Sequence, residues 1–183
     1  MAAEEVGPLQ YASFGVAVLA LALSVAALTW QFVLHTLTGA RAKVELREGL
    51  YGSGGVVTIK AGKLPDAASL QSLASNGYRT HVYSVCVRSI GRMPVTVEDI
   101  RLRSSSGGSF QPVGELMGPK LPIRLEATGG VETWIIEAQA VDAAFEALAE
   151  VSSDDSYRVW AEVRLGDGRV KRGSGEITRV PHR

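Results

Sequence analysis

The chain has 183 residues, enough for one domain with an attached helix and too few for two full domains. Hydrophobic residues make up 46% and charged residues 21%, an ordinary balance for a folded protein. Lys+Arg and Asp+Glu stand at 19 each, which removes the charge argument for a nucleic-acid partner, and the single cysteine, Cys86, excludes an internal disulfide.

The apolar residues concentrate near the N-terminus. After a short tail (residues 1–13), the run FGVAVLALALSVAALTWQFVL from Phe14 to Leu34 carries no charge, and its clearly polar members are Ser24, Thr29 and Gln31. About 21 residues at ~1.5 Å rise span ~31 Å, the thickness of a bilayer's hydrocarbon core. The sequence therefore predicts a membrane-spanning helix over residues 14–36, with Phe14, Val18, Leu21, Val25, Leu28, Trp30 and Leu34 against lipid. Trp30, Phe32 and Tyr11 suit the interfaces. A core helix of a soluble protein needs no such length without a polar face. A cleaved signal peptide wants a basic leader, and this tail carries Glu4 and Glu5 instead. Ala20/Ser24 and Ala22/Ala26 form small-xxx-small pairs on which a second helix, including a copy of this one, would pack closely. Arg41, Lys43 and Arg47 follow the helix, so positive-inside bias places the N-terminus outside and the following domain in the cytoplasm.

Beyond a juxtamembrane linker (37–41), residues 42–180 read as a mostly β domain. Alternation marks strands at Ala42–Glu48 and Gly55–Ala61, separated by a Gly-rich turn, and Leu64–Gly77 reads as a polar connection. In the strand Tyr78–Ser89, Tyr83, Val85 and Val87 share a face. In Pro94–Arg103 the apolar parity switches from Val95/Val97 to Ile100/Leu102, which predicts a β-bulge at Glu98-Asp99. Further strands are predicted at Ser109–Val113, Leu121–Glu126 and Val131–Glu137. One helix follows at Gln139–Glu150, with Val141, Ala144, Phe145 and Leu148 as its apolar stripe. A hairpin of Tyr157–Leu165 and Arg169–Thr178 closes the chain, with Trp160 expected in the core. The series favours an antiparallel two-sheet sandwich with one inserted helix; a small barrel is the alternative.

The strings YSVCVRSIGRMPVTVEDIRL and LPIRLEATGGVETWII resemble the strand–turn–strand grammar of immunoglobulin-like and fibronectin type III-like sandwiches. The resemblance spans roughly residues 42–178 and is similar to the small sandwich domains that membrane-anchored bacterial proteins carry behind one helix. It implies an immunoglobulin-like fold and a binding or spacing role, and transfers no active-site residue. Antibody-type domains pair two cysteines, and this chain has only Cys86.

A search for chemistry returns little. His35, His81 and His182 have no metal-ligand spacing. Cys86 and His81 share a strand but point to opposite faces, so they cannot act as a nucleophile–base pair. Glu98-Asp99 and Asp154-Asp155 lack the spacing of a glycosidase or calcium site. The Gly-rich stretches lack the Lys-Ser/Thr and following helix of a phosphate loop. No catalytic, metal or cofactor site is therefore expected. The charge feature of interest is the C-terminal ribbon, where Arg158, Arg164, Arg169, Lys171 and Arg172 are candidates for contact with an acidic partner or lipid headgroups. The expected function is a non-enzymatic interaction or scaffold module on the bilayer, an accessory subunit that binds a protein partner. The alternatives are a structural protein oligomerising through its helix, an extracytoplasmic binding or sensory domain, and an enzyme built from scattered polar residues.

Overall fold

The computed structural model describes residues 8–52, 54–63, 67–112 and 117–181, and Glu4, Glu5, Ser53, Leu64, Val113 and His182 of the sequence reading lie outside them. The chain divides into two compact units, Met1–Gly39 and Ala40–Arg183.

The first unit contains α1 (Pro8–Thr38), which reaches further toward the N-terminus than the expected 14–36. Pro8 suits its first turn, where a backbone N–H would have no intrahelical partner. The segment Ala12–Leu34 is long and apolar enough to cross a membrane, and none of it is buried. Phe14, Val18, Leu21, Val25, Leu28 and Trp30 are all at least half exposed, and Leu34 is 39% exposed. The hydroxyls of Ser24 and Thr29 donate to the Ala20 and Val25 carbonyls, both at 2.8 Å, so these polar groups are satisfied within their own helix.

The second unit is mainly β. Its elements are β1 (Ala42–Gly52), β2 (Gly55–Lys60), α2 (Ala67–Ser75), β3 (Tyr78–Ser89), β4 (Val95–Ser104), β5 (Ser109–Phe110), β6 (Ile123–Leu125), β7 (Val131–Glu137), α3 (Ala138–Ser152), β8 (Tyr157–Leu165), β9 (Val170–Arg172) and β10 (Ile177–Arg179). One sheet has the order β2-β1-β3-β7, the other β10-β8-β4-β5, with β6 on β4 and β9 on β8. The paired strands run antiparallel, and the sheets do not close into a barrel.

Alternation decides which side chains enter the core. From the first sheet come Val44 and Leu46 (β1), Val85 and Val87 (β3) and Trp134 and Ile136 (β7). From the second come Val95, Val97, Ile100 and Leu102 (β4) and Val159, Ala161, Val163 and Leu165 (β8). The two sheets thus share one core, and α3 adds Val141, Phe145 and Ala149 to it. Between Val97 and Asp99 the β4–β8 register shifts, as the parity switch predicts. The extra residue returns Ile100 to the core and leaves Asp99 to bond Arg101 (2.6 Å), Arg164 (3.3 Å) and Gln111 (3.1 Å).

Several expectations are corrected. Among the described residues the domain has two helices, because α2 forms inside the expected connection 64–77. The expected final strand is split into β9 and β10 by Gly173–Glu176. Of the expected Ser109–Val113, only Ser109–Phe110 is strand among the described residues, and Leu121–Glu126 contracts to Ile123–Leu125. The buried stripe of α3 runs through Ala138, Val141, Phe145 and Ala149, while Leu148 is 38% exposed. Trp160 is half-buried outside the core, beneath the Arg172 guanidinium at 4.0 Å, and donates to Glu162 at 3.2 Å.

The split in the last strand has a structural use. β2 pairs with β1 only from Arg47 onward, leaving the start of that edge open. There Ser174 donates to the Val44 carbonyl (2.8 Å) and Leu46 donates to the Ser174 carbonyl (2.9 Å). Gly175, at φ 92°, makes this crossing feasible, since a Cβ there would stand 2.8 Å from the Leu46 carbonyl oxygen.

Candidate functional site

The inward parity of β1 runs Ala42, Val44, Leu46 and then Glu48, which puts a carboxylate where the core register asks for an apolar side chain. On β3 the same face carries His81 and Tyr83, opposite Leu50 and Glu48. Asp142 reaches the cluster from the first turns of α3, and Arg179 reaches it from β10.

Glu48, whose side chain is 4% exposed, is the hub. Its Oε1 accepts from His81 Nε2 at 2.7 Å and from Arg179 Nη2 at 2.5 Å. Tyr83 donates its hydroxyl to Asp142 Oδ1 at 2.5 Å and accepts from Arg179 Nε at 3.2 Å. His81 Nδ1 lies 4.0 Å from Asp142 Oδ2, and the His81 ring meets Tyr83 edge-on with centroids 5.5 Å apart. Arg179 therefore stands between two carboxylates, in the place a bound cation would take. Nearby, the buried Tyr157 hydroxyl has no hydrogen-bond partner among the described residues.

Burial opposes ionisation of Glu48, but the His81 and Arg179 hydrogen bonds outweigh it and hold the carboxyl below its usual range. Burial, reinforced by the bond to Asp142, pushes the Tyr83 hydroxyl up. Burial and the charges of Asp142 and Glu146 push Tyr157 up to about 12. The signs give a pH profile. A depressed Glu48 stabilises the fold fully above its unfolded value of about 4.3 and progressively less as pH falls through the folded value. The raised tyrosines stabilise below about pH 10 and lose that contribution as pH climbs through their folded values. The thermal midpoint should therefore be flat from about pH 5 to 9 and fall on both sides. Glu48→Gln should flatten the acid limb in part, since Glu45, held near 2 by hydrogen bonds from Lys43 and Arg47, also contributes there. Tyr83→Phe should flatten the alkaline limb in part, since Tyr157 also contributes there. Unchanged limbs in both variants would remove the cluster from the account.

Every charge in this cluster faces an opposite one, and Cys86 lies on the other face of β3. It acts as a clasp joining β1, β3, α3 and β10. Beside it lies an apolar groove lined by Leu50, Val57 and Ile59 of β1 and β2 and by Leu70 and Leu73 of α2. Glu48 and His81 border it. Only glycine fits at position 49 of its wall, because a Cβ there would run into the Val57 carbonyl oxygen.

The ribbon residues lie on the other sheet, and most already have partners. Arg158 and Arg172 both pair with Glu176, at 3.2 Å for Arg158. Arg164 pairs with Asp99 at 3.3 Å and Glu98 at 3.9 Å, and Arg169 pairs with Asp167. Lys171 makes no ion pair among the described residues. Ala20, Ala22, Ser24 and Ala26 sit on α1 with exposed side chains. Sequence reasoning missed Glu48 and Asp142 and reads Arg179 only as a further cation of the C-terminal ribbon; the signal for the cluster was the carboxylate in a core register of β1.

No protein-family profile matches the chain, and neither a curated protein nor a solved structure shows significant similarity to it.

Proposed function

We propose that the chain is a membrane-anchored, non-enzymatic interaction module. In this reading Ala12–Leu34 crosses the bilayer, the β unit is an immunoglobulin-like sandwich, and the whole serves as accessory subunit of a membrane complex. The observation that carries it is the groove beside β2. Val57 and Ile59 present their side chains to it at two-residue spacing, and among the described residues β2 has β1 as its one strand neighbour. An extended apolar segment of a protein partner fits such a place, adding to the strand edge while alternate side chains enter the groove. A charged occupant fits less well, because the Glu48 and His81 groups at its border already bond each other. The basic residues after α1 favour a cytoplasmic position for the module.

The full chain should sediment with membranes and withstand a carbonate wash; recovery in the soluble fraction would defeat the anchor. From detergent extracts, the wild-type chain should capture a stoichiometric partner that Ile59→Lys and Leu73→Asp both lose while keeping a cooperative unfolding transition. Identical capture by all three proteins would defeat the groove reading.

A further inference from the structure

The rim of the β unit at which β1 begins carries exposed aliphatic side chains among arginines. The β3–β4 turn is tied there by backbone hydrogen bonds: Ile90 N–H donates to the Arg41 carbonyl at 2.9 Å, and Gly91 N–H donates to it at 3.3 Å. Met93 forms a bridge to Ala40. The neighbouring β6–β7 turn joins the same rim, through Thr128 N–H to the Gly91 carbonyl at 3.0 Å. Ile90 and Met93 are both 54% exposed, and Val131, opposite Arg88 in the β3–β7 register, is 40% exposed. Around these apolar tips stand Arg41, Arg88 and Arg92, all exposed and none in an ion pair among the described residues. Exposed carboxylates by this rim are Glu126 on the adjacent turn and Asp167, whose partner Arg169 also donates to the Ala40 carbonyl at 2.8 Å, and Glu132 falls on the inward parity of β7.

We propose that this rim docks on an anionic bilayer, with Ile90 and Met93 entering the headgroup layer and Arg41, Arg88 and Arg92 pairing with lipid phosphates. Two features select lipid as the occupant. Unneutralised arginines encircling exposed aliphatic tips match a surface that is anionic outside and apolar within. The chain also reaches Arg41 two residues after the unit that holds the membrane-crossing segment. The ribbon is the poorer candidate, because four of its five cations are already matched by carboxylates. The inference rests on the anchored reading above and adds the face that the domain turns to lipid.

The test uses the full chain in nanodiscs of phosphatidylcholine alone, or of equal parts phosphatidylcholine and phosphatidylglycerol. In a Cys86→Ala background, a fluorophore is attached to a cysteine placed by Ile90→Cys or by Val151→Cys, the latter site being 86% exposed at the end of α3. Headgroup-region nitroxide lipids should quench the position-90 probe several-fold more than the position-151 probe. Phosphatidylglycerol should increase that difference, and Arg88→Gln with Arg92→Gln should reduce it. Equal quenching at both positions in co-eluting discs overturns this inference and leaves the anchor intact; failure to co-elute overturns both. The unsubstituted chain offers a second reading: amide exchange across residues 88–94 should slow in anionic discs relative to zwitterionic ones, and equal rates overturn the proposal.

Discussion

Replacing Arg179 by alanine should destabilise the β unit by about 3–5 kcal/mol, the usual cost of breaking a buried ion pair from one side. The loss comes chiefly from what stays behind. Glu48, 4% exposed, would keep His81 as its one hydrogen-bond partner, and Asp142 would lose the cation 3.9 Å away. Arg179 is itself 21% exposed, so the lower half of that range is expected. Without Arg179 the Glu48 carboxyl titrates at higher pH, so the gap between wild type and variant should narrow as pH falls. Adding Glu48→Gln should recover part of the loss, giving a measurable coupling in a double-mutant cycle by urea denaturation. Additive single effects would mean that solvent screens the pair and that the clasp holds little.

Trp134→Ala should cost a similar amount, about 3–5 kcal/mol, by a different route. Trp134 is fully buried in the shared core, and its Nε1–H donates to the Pro119 carbonyl at 2.8 Å. Gly118 packs against the same ring, where a Cβ would come within 2.9 Å of Trp134 Cδ1. The indole therefore fixes the segment before β6 as well as filling the core, and its removal should speed amide exchange at residues 117–121. Trp160→Ala is the control, since it forfeits a half-exposed contact with Arg172 worth about 0.5–1 kcal/mol. Equal losses for the two tryptophans would contradict the burial difference between them.

Much of the β framework was legible before any coordinates. The ends of β8 follow from unbroken alternation, those of β3 and β7 from shorter apolar rows (Tyr83, Val85 and Val87; Trp134 and Ile136), and the bulge in β4 from a parity switch. α2 escaped notice because its sequence AASLQSLAS offers two large apolar side chains, Leu70 and Leu73, and no charge of its own. Its helical state depends on packing that no local pattern records. β9 and β10 were merged because the glycines between them read as a weak strand, when they serve to cross onto β1. The clasp was least legible. Its hydrogen-bonded pairs are separated by 33, 59, 96 and 131 residues, and each charged member alone looks like an ordinary surface charge. Glu48 in phase with Val44 and Leu46 was the usable clue.

The 131-residue separation between Arg179 and Glu48 also bears on how the protein is made. A ribosome holds the last few dozen residues of a nascent chain in its exit tunnel, so β1 emerges long before the arginine that neutralises its acid. Until Arg179 has been made and has left the tunnel, the half-finished sheet must wait with a carboxylate that lacks its arginine. Such a wait exposes the chain to wrong pairings and makes a holdase or a pause in translation useful to it.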